Sequence, residues 1–430
     1  MKAALALVCV LCATAASGTT ARVSVSTAGA QADSPSWATG ISADGRYTVF
    51  DSHATNLVPG DTNGQFDVFV HDSRADATTR VSVASGGSQG NYYSHAGGIS
   101  ADGRFVAFTS AANNLVAGDT NDRIDVFVHD RQTGVTTRVS VTSTGGQANG
   151  DSDSPVISAG GRYVAFGLHA SNLVPRDTNG GPDVFVHDLA TGKTTRVSVN
   201  SRGRQTNVRS ESAGPAISAG GRYVAFSSSA KNLVRGDTNR LPDVFLRDRK
   251  TGRTTRVSLD SRGKQGGRDR SLTGSSSALI SADGRYVGFL SSDTNLVRGD
   301  TNRWPDVFVR DRRTRRTIRV DVSSDGKQAN AESGVPAMSP DGRYVAFSSY
   351  ATTLVTDQTG GVGELFVHDL ATGATTLVSR AAGGEAGNDS STAAGFSADD
   401  RYLAFSSWAS NLIPGDTNQQ LDVFVHDFGA

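Results

Sequence analysis

The sequence has few cysteines, no net charge and no long apolar run after its first residues. Its 430 residues include 42 Lys or Arg and 42 Asp or Glu. This balance excludes a uniformly basic nucleic-acid binder and a highly charged disordered chain. Only 11 prolines accompany 49 glycines, which excludes a Pro-rich linker and is typical of a protein with many tight turns. No later segment approaches the roughly 18 apolar residues of a spanning helix, so we expect no transmembrane segment.

Both cysteines, Cys9 and Cys12, lie in the first fifteen residues. This segment has a lysine, then an apolar run (residues 3–11) and then small residues, in the order of a secretory signal peptide. We therefore expect residues 1–18 to be a signal peptide, with cleavage near 15–18. The mature chain then lacks cysteine, and we expect it in the periplasm or outside the cell, without disulfides.

One sequence unit recurs seven times in the rest of the chain. Each copy has the turn Ser-Ala-Asp-Gly-Arg-Tyr or a close variant, starting at Ser42, Ser100, Ser158, Ser218, Ser281, Ser339 and Ser397. An apolar stretch follows, then a loop with Asn-Leu-Val-x-Gly-Asp-Thr-Asn, then Asp-Val-Phe-Val-His-Asp and finally Thr-Thr-Arg-Val-Ser-Val. Seven units of about 58 residues fill nearly all of residues 19–430. We therefore expect one repeat domain, not the three domains that length alone suggests.

Each unit contains four candidate β-strands and no segment of helical periodicity. The strands predicted in the first copy are A, ending at Ser42, B (47–50), C (67–72) and D (80–83). The Asp-Gly sequence between strands A and B favours a two-residue hairpin. Four-stranded units repeated radially are typical of one architecture. The sequence therefore predicts an all-β fold, a seven-bladed β-propeller with four antiparallel strands in each blade.

The two chain ends predict how the ring closes. The strand D sequence Arg-Val-Ser-Val occurs at residues 22–25, before the first strand A, whereas Ala430 comes directly after the seventh strand C. We therefore expect the N-terminal strand to complete the C-terminal blade, which leaves no exposed sheet edge there.

Residues 339–347 read Ser-Pro-Asp-Gly-Arg-Tyr-Val-Ala-Phe. This segment resembles the TolB-type propeller repeats, a WD-like family with the consensus Ser-Pro-Asp-Gly-Lys/Arg-x-x-Ala-Phe before an aromatic strand C. The resemblance covers all seven units and implies the propeller fold. TolB proteins carry an α/β domain before the propeller, whereas the first strand here begins just after the expected cleavage site. We therefore apply the resemblance to the propeller part of the family only.

The loops divide between two faces of the predicted ring. If strands A to D run outward from the axis, the A–B and C–D hairpins share one face, here called the hairpin face. The longer B–C and D–A loops share the other, here called the loop face. Long loops on a rigid scaffold commonly carry binding residues, so we expect the binding surface on the loop face.

The B–C loop repeats Asp-Thr-Asn-x-x-x-Asp. Oxygen ligands at its positions one, three and seven would suit Ca²⁺. The alternative, which we favour, is that Asp and Asn form turns that satisfy the loop backbone. We expect no required cofactor, with Ca²⁺ as the metal candidate. Its candidate ligands are Asp61, Asn63, Asp67, Asp119, Asn121, Asp125, Asp177, Asn179, Asp183, Asp237, Asn239, Asp243, Asp300, Asn302, Asp306, Asp416, Asn418 and Asp422.

Two further series are expected to be structural. The D–A loop repeats Gly-x-Gln, which we interpret as a repeated hydrogen bond, at Gln31, Gln89, Gln147, Gln205, Gln265 and Gln328, with Glu385 in the seventh copy. One strand C position is histidine in five units and arginine in two, at His71, His129, His187, Arg247, Arg310, His368 and His426. Because strand C is the third strand from the axis, these side chains cannot converge on one metal, and we expect a packing role.

The D–A loops also differ between copies near the axis. Mixed acids, arginines and tyrosines around a funnel would suit a polar ligand or a protein loop, and the alternative is ordinary divergence of solvated loops. The candidate ligand-binding residues are Tyr92, Tyr93, His95, Asp151, Asp153, Arg209, Glu211, Arg268, Arg270, Glu332 and Asp389.

Charge is uneven along the chain. From Arg196 to Arg319 there are 26 Lys or Arg against 11 Asp or Glu, a surplus of 15. Units four and five therefore form a basic sector, with four arginines in the C–D turn at 312–316. Such a sector would attract an acidic partner, and the alternative is a solvated edge.

Catalytic signatures are absent from the sequence. Residues 86–90 match the nucleophile-elbow pattern, but no helix follows them. We therefore expect an exported, monomeric binding scaffold that is not an enzyme, with a protein as partner and no nucleic acid. The alternative is a carbohydrate-active or Ca²⁺-dependent propeller, such as a lyase, that binds acidic polysaccharide.

Overall fold

The computed structural model describes residues 18–207, 214–267, 274–357 and 359–429, with Leu168 described by its backbone alone. These residues form seven sheets of four antiparallel strands, and the predicted seven-bladed β-propeller is confirmed. Over the same residues there is no helix of the length and apolarity needed to cross a bilayer. The predicted signal peptide lies outside the described residues, except for Gly18.

The first fourteen strands are β1 (Thr19–Arg22), β2 (Ser36–Ile41), β3 (Tyr47–Ser52), β4 (Asp67–Asp72), β5 (Ala77–Arg80), β6 (Ser94–Ile99), β7 (Phe105–Ser110), β8 (Asp125–Asp130), β9 (Val135–Arg138), β10 (Ser152–Ile157), β11 (Tyr163–Leu168), β12 (Asp183–Asp188), β13 (Lys193–Arg196) and β14 (Ala216–Ile217). The others are β15 (Tyr223–Ser228), β16 (Asp243–Asp248), β17 (Arg253–Arg256), β18 (Ser275–Ile280), β19 (Tyr286–Ser291), β20 (Asp306–Asp311), β21 (Arg316–Arg319), β22 (Ala337–Met338), β23 (Tyr344–Ser349), β24 (Glu364–Asp369), β25 (Thr375–Leu377), β26 (Ser391–Phe396), β27 (Tyr402–Ser407) and β28 (Asp422–Asp427). Blade 1 is β2 to β5, and each later blade takes the next four strands. Blade 7 is β26, β27, β28 and β1.

Strands B and C form the centre of each blade and are buried on both faces. Phe50 on β3 and Phe69 on β4 are fully buried, with ring centroids 5.8 Å apart. Val70 of blade 1 belongs to one apolar cluster with Phe108 and Phe127 of blade 2. Both faces of a blade pack against neighbours, which explains why strands B and C are nearly continuous apolar runs rather than alternating ones.

The N-terminal strand closes the ring, as predicted. β1 pairs antiparallel with β28, with Thr20 opposite His426. Beyond the strand, the N–H of Val23 donates to the carbonyl of Val423 at 2.8 Å, and Ser24 Oγ donates to Asp422 Oδ1 at 2.6 Å. The first and last strands of the described chain are therefore part of one sheet.

Strand D begins and ends three residues earlier than predicted. β5 covers Ala77–Arg80 rather than 80–83, because its ladder with β4 pairs Phe69 with Arg80 and Asp72 with Ala77. Val81 and Ser82 are buried beyond the ladder, and Val83 forms an isolated bridge to Gln89.

Residues 83–89 therefore form a small hairpin, here called the strap of blade 1. Equivalent straps are closed by bridges at 25–31 (after blade 7), 141–147, 199–205, 259–265, 322–328 and 380–386. Each strap follows strand D of one blade and leads to the next. Ser85 in the strap of blade 1 accepts a hydrogen bond from the N–H of Thr136 on strand D of blade 2, at 3.0 Å. Straps therefore join neighbouring blades.

The hairpin face carries the same ion pair in every blade. Arg46, in the A–B turn, donates from Nε and Nη2 to the two carboxylate oxygens of Asp72 at 2.7 and 2.6 Å. This arginine lowers the pKa of Asp72 to about 2. The equivalent pairs are Arg104 with Asp130, Arg162 with Asp188, Arg222 with Asp248, Arg285 with Asp311, Arg343 with Asp369, and Arg401 with Asp427. The A–B and C–D hairpins therefore share one face, as predicted.

Candidate functional site

The Asp-Thr-Asn loops, which we considered as calcium sites, are closed by an arginine of strand D. Arg80 Nη1 lies 3.2 Å from Asp61 Oδ1 and 3.3 Å from Asp67 Oδ2. Ser82 Oγ donates to Asp67 Oδ1 at 2.5 Å. Asn63 Oδ1 accepts the N–H of the residue two positions on, at 3.0 Å, which is an Asx turn. We call this arrangement the arginine cage.

The cage recurs in six of the seven blades. The bridging arginines of blades 1 to 5 and 7 are Arg80, Arg138, Arg196, Arg256, Arg319 and Arg22. A guanidinium therefore already supplies the positive charge between the two carboxylates. Over the described parts of the chain, no group of three or more His, Cys, Asp or Glu is placed to hold a metal ion. The geometry supports the structural alternative for these loops, and calcium binding stays a prediction.

Blade 5 has an extra acid in its cage. Asp321 is fully buried two residues after the end of strand D, at a position that is serine in the other six blades. Burial and the neighbouring Asp306 raise the pKa of Asp321 well above its usual range. Its Oδ2 accepts a hydrogen bond from Ser333 at 2.8 Å. The raised pKa favours the protonated form of Asp321, because two carboxylates in contact cannot both ionise at low cost.

The glutamine series forms the predicted repeated hydrogen bond. Gln205 Nε2 donates to Thr178 Oγ1 at 2.7 Å, and its Oε1 accepts the N–H of the same threonine at 3.3 Å. Gln31, Gln147, Gln265 and Gln328 contact the threonine of an Asp-Thr-Asn loop in the same way, whereas Gln89 Oε1 accepts from both the N–H and the hydroxyl of Thr62. The seventh copy needs a correction: the bridge from Arg380 runs to Ala386. Ala386, not Glu385, therefore occupies the glutamine position.

The strand C histidines have the packing role that we predicted. His71 Nδ1 lies 3.0 Å from Thr78 Oγ1, and this hydroxyl donates to the carbonyl of Val25 in the preceding strap at 2.5 Å. The side chain is buried, and burial lowers the pKa of His71. In blade 5, Arg310 makes the same contact with Thr317 at 2.7 Å. These histidines therefore help to join blades.

Three of the candidate ligand-binding residues do come together. The ring centroids of Tyr92 and Tyr93 are 5.0 Å apart, and those of Tyr93 and His95 are 5.5 Å apart. The His95 ring also contacts Phe66 of the preceding B–C loop, with ring centroids 5.2 Å apart, and Phe66 contacts Trp37, with centroids 5.5 Å apart. These rings form an aromatic cluster on the loop face between blades 1 and 2. His53 adds an edge contact to it.

A buried carboxylate supports this cluster. His95 Nδ1 lies 3.0 Å from Asp51 Oδ2, and this hydrogen bond raises the pKa of His95. Asp51 is only 6% exposed. Its position on strand B holds no acid in any other blade. The pair fixes the imidazole ring and favours its charged form, which suits a hydrogen bond to a polar ligand.

The other candidates are more scattered. Asp151 accepts the N–H of Ile124 at 3.1 Å, and Asp153 lies on β10. The backbone carbonyl of Glu332 accepts a hydrogen bond from Ser349. The Asp389 carboxylate accepts the N–H of the next residue. The remaining candidates, Arg209, Glu211, Arg268 and Arg270, lie outside the described residues.

The structure adds four exposed aromatic residues that sequence reasoning missed, Trp37, Trp304, Tyr350 and Trp408, to the candidate Tyr92. Five of the seven large apolar side chains exposed in the described chain are aromatic, and all five lie on the loop face: Trp37, Tyr92, Trp304, Tyr350 and Trp408. Tyr350 and Trp408 directly follow strand B of blades 6 and 7. Together with Trp37 and Tyr92 they form an arc over blades 6, 7, 1 and 2, here called the aromatic arc. Comparing the residue after strand B across the seven copies would have found Tyr350 and Trp408.

The basic sector is partly used in contacts between blades. Arg249 lies over the ring of Tyr163 at 4.5 Å, and Arg312 over Tyr223 at 4.4 Å. In each case the arginine of one blade covers a tyrosine of the preceding blade, which is a stabilising cation–π arrangement. Three arginines of the turn remain exposed, at 313, 315 and 316.

Comparisons with known proteins agree with the fold. No protein-family model and no curated protein matches the chain. Among solved structures, an oligogalacturonate lyase in complex with manganese is 13% identical, with 96% of each chain covered and a TM-score of 0.56. The oligogalacturonate lyase from Vibrio parahaemolyticus is 12% identical, with 96% of this chain and 97% of that chain covered and a TM-score of 0.52. TolB from Acinetobacter baumannii is 17% identical over 74% of this chain, which spans 61% of that protein's length, with a TM-score of 0.40.

At such identities these likenesses show the fold alone. The protein is a seven-bladed β-propeller, and TolB proteins are among its structural neighbours. The function must be argued from the site.

Proposed function

We propose that the protein is an exported, non-enzymatic scaffold that binds a protein partner on its loop face. The observation that carries this proposal is the aromatic arc. Trp37, Tyr92, Tyr350 and Trp408 are between 38% and 50% exposed. Tryptophan and tyrosine are enriched where protein interfaces derive most of their binding energy. Exposed aromatic groups on one face of a rigid ring therefore favour a protein-binding surface.

Two features preorganise this surface. The straps and the strand C contacts hold the blades together, so the loops start from fixed positions. The His95–Asp51 pair adds a polar anchor inside the aromatic cluster. A partner loop that presents an acceptor to His95 and apolar groups to Trp37 would satisfy both features.

A capture experiment from the exported fraction tests the proposal. The parent protein, immobilised through its C-terminus, is compared with the double variant Trp37→Ala, Trp408→Ala. We expect the double variant to lose at least about 2 kcal/mol of partner binding, because aromatic anchors dominate interface energies. Val135, 45% exposed at the start of β9 next to the C–D turn of the hairpin face, provides the control Val135→Ala. Equal capture by the parent and the double variant would contradict the proposal.

A carbohydrate-active propeller acting on acidic polysaccharide is the second proposal. The His95–Asp51 pair favours it, because a histidine fixed by a carboxylate can transfer a proton, and exposed aromatic rings can pack against sugar rings. The test is turnover of an acidic glycan by the parent and by His95→Gln. If the parent turns over the glycan and the variant does not, this proposal replaces the scaffold proposal.

Export itself rests on the signal-peptide pattern of residues 1–18. N-terminal sequencing of protein recovered from the exported fraction tests it, and we expect the mature chain to start near residues 15–18. A full-length chain retained in the cell would contradict export.

A further inference from the structure

One seam of the ring differs from the other six. We define a seam by the strap of one blade and strand D of the next. At six seams a strap hydroxyl accepts the N–H of a strand D threonine at 2.9 to 3.2 Å. The pairs are Thr27 with Thr78, Ser85 with Thr136, Ser143 with Thr194, Ser201 with Thr254, Ser261 with Thr317, and Ser324 with Thr375. At the seam between blades 6 and 7 the two positions are Ala382 and Thr20, and alanine has no hydroxyl.

The second strap contact is also missing at this seam. At the other six, the threonine hydroxyl donates to a strap carbonyl, as from Thr136 to Val83 at 2.5 Å. Thr20 Oγ1 instead contacts only His426 Nδ1, at 2.9 Å, within the described residues. Among the described residues, no strap atom accepts a hydrogen bond from the Thr20 N–H. The closing strand therefore lacks the strap contact that strand D makes at this N–H in the other six blades.

The strap of blade 6 has lost its other anchor as well. Ala386 replaces the glutamine that bonds to the B–C loop, and Leu377 replaces the cage arginine. Arg380 in this strap pairs with Asp357 instead. In blade 6 the strap therefore lacks both its usual hydrogen bonds to strand D of the next blade and its usual hydrogen bond to the B–C loop. These missing contacts lie next to one another.

A cleft of about 1230 Å³ lies at this seam, between the strap of blade 6, β25 and β1. Its apolar lining includes Leu377, Leu412, Ile413 and Phe428, and Thr20 forms part of its wall. The charged residues at its lining neutralise one another in two pairs, Lys327 with Asp325 and Arg380 with Asp357. The cleft is therefore apolar with little net charge.

We propose that this cleft binds an extended, uncharged peptide segment of a partner protein, which pairs with the edge of β1 at Thr20. The cleft continues the interface that straps make at the other six seams: there the strap bonds to strand D, whereas here Ala381 and Ala382 of the strap line the cleft beside Thr20. An unpaired strand edge recruits extended backbone, and pockets beside it take alternate side chains. The apolar lining selects apolar side chains, and the paired charges give no preference for a charged ligand.

This site is separate from the aromatic arc, because its lining includes none of the four arc residues, although its B–C loop and strap residues also belong to the loop face. The inference therefore does not rest on the proposed function. A partner bound here would contact strand D, which no earlier expectation assigned to binding.

The test uses a probe taken from the chain itself. The acetylated and amidated peptide of residues 81–87, Val-Ser-Val-Ala-Ser-Gly-Gly, carries the strap hydroxyl and carbonyl that this seam lacks. We expect it to bind the full-length mature protein in calorimetry and to slow hydrogen exchange at the Thr20 amide. The Thr136 amide, already bonded to Ser85, should exchange slowly with or without the peptide.

The variant Ala382→Ser, Ala386→Gln restores both anchors and should close the cleft. We expect its affinity for the peptide to fall at least about tenfold, as loss of one good hydrogen bond predicts. Ser143→Ala, which removes the strap hydroxyl at the distant seam between blades 2 and 3, is the matched control and should keep parental affinity. Undetectable binding to the parent, or equal binding to the restored variant, would overturn the proposal. So would uptake of an apolar dye that the peptide does not displace, since that identifies a small-molecule cavity.

Discussion

Blade 1 and blade 6 have the same four strands in the same order but hold their outer strands differently. In blade 1, Arg80 bridges two buried carboxylates, and Gln89 joins the strap to the B–C loop. In blade 6, Leu377 and Ala386 occupy these positions. The difference shows that the polar network is not needed to form four strands, because the Phe347–Phe366 core of blade 6 is as buried as in any other blade. The network instead sets how tightly the strap covers the seam.

Deleting residues 19–25 should have the largest effect, because it removes strand D of blade 7 entirely. The change exposes the edge of β28 and removes the buried Val23 and the hydrogen bonds of Ser24. We expect a loss of at least about 4 kcal/mol in the free energy of unfolding, together with self-association. Urea denaturation and light scattering measure both. A deletion variant as stable and monomeric as the parent would refute the closure.

Arg80→Leu gives blade 1 the residue of blade 6 and should cost about 3 kcal/mol, because it leaves two buried acids without their cation. The double variant Arg80→Leu, Asp61→Asn removes one of those charges and should recover part of the loss. Urea denaturation measures all three proteins. If Arg80→Leu alone costs nothing, the arginine cage has no role in stability.

Asp321→Ser gives blade 5 the serine of the other blades and should stabilise the protein by about 1 kcal/mol at pH 8. The pKa of Asp321 is raised in the folded state, so folding retains a proton that the unfolded chain releases as pH rises. The parent therefore loses stability from about pH 4 upward, and the gain from the substitution should shrink at pH 4.5. Denaturation at both pH values measures this. Asp325→Ser, at an exposed neighbouring acid, should show no such trend, and a gain independent of pH would contradict the assignment.

His71→Arg copies blades 4 and 5 and should change stability by less than about 1 kcal/mol at pH 8, because arginine makes the same threonine contact. Burial lowers the pKa of His71, so the parent loses stability as pH falls below about 6.5, where the unfolded histidine binds a proton first. The variant lacks this contribution. Melting temperatures at pH 8 and pH 5.5 test this, and equal slopes for the two proteins would contradict it.

Calcium should have the smallest effect. Because the arginine cage already neutralises the paired acids, we expect no heat of binding when Ca²⁺ is added to chelator-treated protein and no change in its melting temperature. Uptake by the parent would revive the calcium prediction, and its loss in Asp119→Asn would place the ion in a cage.

Most of the fold was predictable from residues close together in the chain. Seven turns with Asp-Gly or a close variant, the apolar strands B and C and the spare strand D at the N-terminus predicted the ring and its closure. The limits of strand D were wrong by three residues. Val-Ser-Val has the alternation of a strand, but Val81 is buried beyond the ladder and Val83 begins the strap, whereas the less apolar Thr-Thr-Arg pairs with strand C.

The site was less predictable. Tyr92, Tyr93 and His95 were recognised as variable loop residues, but their neighbours Asp51 and Phe66 come from other segments. The sequence alone does not indicate that Ala382 matters. Its consequence depends on Thr20, which is distant in sequence and near only because the ring closes there.

The amino-acid sequence by itself determined the repeat, the number of blades and the pairing of the chain ends, because these follow from local turn chemistry and apolar periodicity. Only the tertiary structure decided which carboxylates meet an arginine, which aromatic rings form one surface and which seam stays open. These properties depend on distances between residues of different blades, which burial and packing set when the ring closes.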